Sequence, residues 1–145
     1  MKVSTTAPRA PAGTPRRKPP LVRGDLRAEM CPSRQVLQHM TSRWGVLVLM
    51  VLAERTHRFA ELRRAVGGVS ERMLAQTLQC LESDGLVLRV AHDVVPPHVD
   101  YSLTPLGRGA AAHVVGLTDW IETHMPQVMA ARARYQARPA QRRAA

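Results

Sequence analysis

The chain has 145 residues, 45% of them hydrophobic and 22% charged, with a net charge of +10; this is the size of one globular domain with tails. No apolar run reaches the roughly 18 residues of a membrane span, and no apolar stretch of a secretory signal follows the N-terminal charges. The two cysteines, Cys31 and Cys80, form neither a disulfide framework nor a CxxC pair, so a reducing cytoplasm fits, with no membrane partner.

Residues 1–20 hold five of the eleven prolines among Ser, Thr, Ala and Arg, and such a segment buries too little apolar surface to offset its ordering entropy. Residues 1–29 are therefore read as a disordered basic tail, 30–125 as the domain, and 126–145 as a C-terminal helix with a second basic tail. In the domain, Cys31-Pro32-Ser33 opens a short helix with Val36, Leu37 and Met40 on one side, proline being suited to a first helical turn. Thr41 or Ser42 caps the next helix, where Trp44, Leu47, Val48, Val51 and Leu52 recur at helical spacing. A third helix over about 59–66 buries Phe59, Leu62 and Val66. Gly67-Gly68 breaks the chain. Ser70 then caps a fourth helix, 70–84, with the stripe Leu74, Leu78 and Leu81, stopped by Asp84-Gly85.

After Gly85 the period changes to two. Residues 86–90 and 99–103 read as a two-stranded hairpin, with Val99, Tyr101 and Leu103 on one side and a tip at 91–98 stiffened by Pro96-Pro97. Thr104-Pro105 starts another helix, striped by Leu106, Ala110, Val114, Leu117 and Ile121 with Trp120 and His124 alongside. A separate helical stretch follows Pro126. The fold class expected is mainly α with a β-hairpin wing: a winged helix-turn-helix with N- and C-terminal dimerisation helices.

The third helix, the glycine turn and the fourth helix make the helix-turn-helix. With the leucines turned inward at about 100° per residue, the outer face of the fourth helix carries Arg72, Gln76, Gln79 and Ser83. Arg pairs with guanine O6/N7 and Gln with adenine N6/N7, which suits the major groove of double-stranded DNA. The same residues would also make an ordinary solvated face; the glycine turn and the hairpin decide for DNA. Arg58, Arg63 and Arg64 lie on the element expected to cross the phosphate backbone, and Arg89, His92 and His98 lie on the wing. Net charge supports this only in part. Residues 1–29 and 126–145 each carry a balance of +5 and the middle is neutral, but seven Arg against three Glu between Arg34 and Arg72 make one half positive.

The string Cys31-Pro32, Arg43-Trp44, Arg58-Phe59-x-x-Leu62, Ser70-x-x-Met73-Leu74, Leu81-x-x-Asp84-Gly85-Leu86 and Val95-Pro96-Pro97-x-Val99-Asp100-Tyr101-Ser102-Leu103-Thr104-x-x-Gly107 resembles the HxlR-type regulators over about 31–120. The resemblance implies a DNA-binding homodimer that represses or activates genes. It adds Arg43, Ser70 and Met73 to the DNA contacts, Leu37 to a dimer interface with Leu117, Trp120 and Ile121, and Cys31 as a redox-sensing position. The helix-start placement of Cys31 favours a thiolate independently. Two positions depart from the family pattern. Ser42-Arg43 stands for Gly-Lys, and His98 for an arginine after the prolines, so a fixed wing charge becomes one that titrates.

Gly107-Arg108-Gly109-Ala110-Ala111-Ala112 matches GxGxxA, but its strand belongs to a hairpin and no parallel strand follows, so no nucleotide site is expected. Glycine there permits close helix packing. The histidines include no HxxxH pair. His92 and His98 meet across the hairpin as two ligands only, and no catalytic grouping stands out. Thus no cofactor, metal or enzyme activity is expected, the operator and any small-molecule effector stay unknown, and the protein is placed in the cytoplasm at the nucleoid. The rival reading is a thiol-based redox or protein–protein interaction module on a winged-helix scaffold.

Overall fold

The computed structural model describes residues 23–139. The expectation of a disordered tail over 1–29 lies outside them up to residue 22, and 23–29 are exposed turns ahead of the first helix; the end of the C-terminal tail lies outside them too. Helix α1 (Pro32–Thr41) has Cys31 as its N-cap and Pro32 in its first turn. Helix α2 (Arg43–Glu54) follows after Ser42, whose hydroxyl accepts from the Gly45 N–H and donates to the His39 carbonyl. The two helices cross closely at Gly45, where a Cβ would lie 2.0 Å from the His39 carbonyl oxygen.

That contact sets the rotation of α2, whose buried residues are Gly45, Val48, Leu49 and Leu52. The expected stripe is corrected here: Leu47 is exposed, and Leu49 takes its place in the core. The helix is apolar nearly all round, so its own sequence does not mark which side faces inward. Strand β1 (His57–Arg58) and helix α3 (Phe59–Ala65) come next. His57 is buried, and its Nδ1 donates to the Arg55 carbonyl at 2.8 Å. Arg55 also donates to Glu61 at 2.9 Å and holds that carboxyl below the usual carboxylate range. This tie is present at neutral pH and is lost as acid protonates Glu61.

Gly68 turns the chain at φ +86, a conformation that favours glycine. Helix α4 (Glu71–Ser83) is capped by the Ser70 hydroxyl on the Met73 N–H, and buries Leu74, Leu78 and Leu81 as the periodicity predicts. It ends in a Schellman motif: Gly85 at φ +75, Leu86 N–H to Leu81 carbonyl, Gly85 N–H to Glu82 carbonyl. Its C-cap, Asp84, accepts from His39 Nδ1 at 2.6 Å, a contact that bolts α1 to the end of α4. Both side chains are mostly shielded from solvent. Asp84→Ala leaves the imidazole without its partner and should cost about 1–3 kcal/mol. Thermal unfolding reads this directly, and an unchanged Tm would show that the pair does not fasten α1.

Strands β2 (Val87–His92) and β3 (His98–Leu103) enclose a tip of residues 93–97, shorter than predicted because the ladder runs on to a His92–His98 pair. The sheet is also larger than a hairpin. β1 joins β3 antiparallel, giving the order β1-β3-β2. Two residues between helices give too little period to announce a strand. By register, His57, Val87, Arg89, Val99, Tyr101 and Leu103 share the inner face, while Arg58, Leu88, Val90, His92, His98, Asp100 and Ser102 share the outer one.

Helix α5 (Pro105–Gln136) is a single helix of 32 residues with Pro126 inside it. The expectation of two stretches separated at Pro126 is therefore corrected. Proline removes one N–H but does not have to end a helix whose other hydrogen bonds persist. Thr104 fastens its start, accepting from the Gly107 N–H and donating to the Gly85 carbonyl. A Cβ on Gly107 would lie 1.8 Å from the Leu86 carbonyl oxygen, so glycine is required for the approach of α5 to the end of α4. Only Gly107, Ala111 and Val114 are buried along α5. Beyond Val114 the residues of α5 are exposed or only partly buried, in a helix about 48 Å long.

Candidate nucleic-acid interface

The capped start of α4 and its inward leucines leave Arg72, Gln76, Gln79 and Ser83 on the outside, all four exposed. Arg72 forms no ion pair among the described residues, and it stands in the first turn, where a reading helix reaches furthest. The Ser83 hydroxyl instead donates to the Cys80 carbonyl. Met73 is exposed on the flank that faces α1, beside Thr77 and Cys80. Ser70 is the helix cap, its Oγ accepting from the Met73 N–H, which leaves its O–H as a donor at the start of α4.

Arg63, Arg64, Gly68, Val69 and Ser70 line an open hollow at the N-terminal end of α4. Two guanidinium-bearing side chains beside a helix N-terminus are suited to a phosphate. Arg63 is partly committed there, donating to Glu71 at 2.9 Å across an exposed pair; Arg64 has no ion pair among the described residues. Arg43 stacks its guanidinium 4.5 Å above the Trp44 ring, and Trp44 lies against the turn at Gly68, so it borders the same region.

The wing residues divide. Arg89 is on the inner face and shares a hollow with Ala75, Gln79 and Glu82 of α4, next to the exposed side of that helix. His98 is on the opposite face, stacked on His92 with ring centres 4.5 Å apart. The structure does not bring His98 to the α4 face. Arg58, the register partner of Asp100, is on that outer face too.

The other site residues sit on two further surfaces. Cys31 is half-buried at the start of α1, in a hollow with Glu29, Gln35 and Gln38. Leu37, Leu117, Trp120 and Ile121 are all exposed, at 46%, 49%, 58% and 40%, and Trp120 stacks on His124 at 4.3 Å. Two arrangements escaped the sequence reading. The His39–Asp84 bolt pairs residues 45 positions apart with no local signal. Asp100 joins His92, its Oδ2 2.8 Å from the His92 Nε2; the strand register, once known, places all three of His92, His98 and Asp100 together. Among the described residues, no single helix is long and apolar enough to cross a membrane.

Comparison with known proteins agrees with this geometry. Residues 39–129 match the family described as HxlR-like helix-turn-helix. The chain is 62% identical over 112 residues to YtfH of Escherichia coli K12, described as an uncharacterized HTH-type transcriptional regulator, covering 77% of this chain and 89% of that protein. The solved structure of ytfH from Salmonella typhimurium superposes with a TM-score of 0.73 at 61% identity, over 77% of this chain and 99% of the other. The redox regulator HypR in its reduced form gives a TM-score of 0.63 at 31% identity, over 68% and 98%.

Proposed function

The chain belongs to the HxlR-like helix-turn-helix family and is a transcriptional regulator of the helix-turn-helix type, and from that premise we propose that it acts as a homodimer reading an inverted-repeat operator with α4. The observation that carries this reading is the outer face of α4: Arg72, Gln76 and Gln79 exposed in a row, next to the Arg63–Arg64 hollow. Base-pairing side chains and a phosphate seat then meet one duplex from the same side. Its relatives carry the names of transcriptional regulators, a role without catalysis. A two-fold dimer matches a two-fold operator, with half-site centres one helical turn or a multiple apart.

A shift assay on the DNA upstream of its own gene, at two salt concentrations, tests this. Sequence-selective binding supports the reading; equal binding to unrelated duplex at both salts contradicts it. The same assay measures the tails. Five Lys and Arg lie in residues 1–20, and charges that neutralise phosphates without base readout add affinity to every sequence alike. Deleting 1–20 should flatten the dependence of log K on log salt, by about 0.9 for each phosphate that is no longer neutralised. An unchanged slope would show that this segment never touches DNA.

A second reading concerns Cys31. The chain resembles HypR, a redox regulator known in oxidised and reduced forms, and Cys31 is part-exposed at the N-terminus of α1, within reach of a dissolved oxidant. Oxidation there would act on a helix that Asp84 bolts to the reading head. Mild peroxide or diamide should alter operator binding by the wild type and leave Cys31→Ser unaffected. Equal responses of the two proteins would show that Cys31 is not the switch.

A further inference from the structure

We propose that His92, His98 and Asp100 form a binding site for a divalent transition-metal ion of the zinc class on the outer face of the wing. His92 and His98 are the last register pair before the tip, so their side chains leave the sheet on the same side. Asp100, two residues along β3, points the same way. One ligand atom from each of the three lies within 4.8 Å of the other two, and all three residues are half-buried.

The spacing is close to what an ion needs. Metal–ligand bonds of about 2.0–2.2 Å hold neighbouring ligand atoms about 3–3.5 Å apart. The His92 Nε2 and Asp100 Oδ2 are already 2.8 Å apart. The stacked His98 ring lies 4.5 Å from His92 between centres, with a ring nitrogen within 4.8 Å of the other two ligand atoms. The site sits where the strand ladder meets the Pro96-Pro97 tip, so the backbones of all three ligand residues are held by strand pairing before any ion arrives.

The donor set selects the ion. Two imidazoles and one carboxylate suit zinc, nickel or copper, and are a poor match for magnesium or calcium, which take six or more oxygens. Three protein ligands leave one position of a tetrahedral ion open to solvent. Arg58, beside Asp100 in the register on β1, brings a positive charge to the same face and opposes a bound cation, so affinity should be about micromolar rather than that of a closed four-ligand site. A bound ion would cross-link β2 to β3 at the tip end of the hairpin.

Calorimetric titration of the full chain with Zn2+ tests this, with Co2+ absorption as a report on coordination geometry. One saturable site per protomer is expected, with intense tetrahedral Co2+ bands. His92→Gln, His98→Gln and Asp100→Asn should each weaken binding at least tenfold, while His124→Gln, on α5, should not. Circular dichroism of the three wing variants verifies that they are folded, since all three positions lie near the hairpin end. An absence of saturable binding, or binding that persists in the His92→Gln/His98→Gln double variant, would overturn the assignment. The measurement uses no DNA, so its failure leaves the reading by α4 standing, and the converse holds equally.

Discussion

Arg72→Ala and Gln76→Ala are each expected to abolish specific operator binding while leaving Tm within about a degree of wild type. Both side chains are exposed on α4, opposite Leu74, Leu78 and Leu81, and neither forms an ion pair among the described residues, so their removal costs the fold little. A bidentate contact from Arg to guanine or Gln to adenine is worth about 1–3 kcal/mol, and a two-fold dimer makes it twice. The loss per substitution is then about 2–6 kcal/mol, or roughly 30-fold to more than 10,000-fold in affinity. Binding to unrelated duplex, which rests on phosphate contacts, should fall far less for Gln76→Ala than for Arg72→Ala, because only the arginine carries charge. Fluorescence anisotropy on specific and scrambled duplexes separates the two effects. Undiminished operator affinity in both variants would mean that α4 is not the reading helix.

Leu117→Glu and Trp120→Glu should each convert a homodimer to monomer in sedimentation. The reason lies in what α5 fails to bury. Its last buried residue is Val114, yet Leu117, Trp120 and Ile121 follow at helical spacing, between 40% and 58% exposed, with Met129 exposed further along. An apolar stripe of this kind on a helix marks an interaction surface. Because these side chains are already exposed in the protomer, a glutamate there leaves the fold intact and penalises only association, where an unpaired charge would be buried. Operator affinity should fall with it, by about 100-fold or more, since each reading head then binds without the other's help. A wild-type protein that sediments as a monomer at micromolar concentration would contradict the dimer itself.

Much of this architecture was legible because local signals agreed with one another. Ser70 and Thr104 announced caps that the structure uses, Leu74, Leu78 and Leu81 fixed the rotation of α4, and Gly68 and Gly85 stood where the chain needs positive φ. What stayed hidden depended on partners distant in sequence. The rotation of α2 is set by the His39 carbonyl against Gly45, which no stripe in an almost wholly apolar helix can reveal. β1 is two residues long and exists only because β3 is there to pair with it. Pro126 looked like a boundary because a proline removes a hydrogen bond, whereas the flanking turns of α5 carry the helix through. At the candidate site, Arg72, Gln76 and Gln79 followed from the wheel of α4 alone. Placing Arg89 beside α4 and His98 on the opposite side of the wing required the strand register, and so did the meeting of Asp100 with His92.

Hydroxyl-radical footprinting of the full chain on the DNA upstream of its own gene tests the central claim most directly. Two copies of α4 reading one operator should protect two half-sites related by a two-fold axis, their centres about 34–36 Å apart or a multiple of that. The Arg72→Ala protein should lose this pattern at concentrations where wild type saturates it. A single protected segment without two-fold symmetry, or a symmetric footprint that survives Arg72→Ala unchanged, would contradict it.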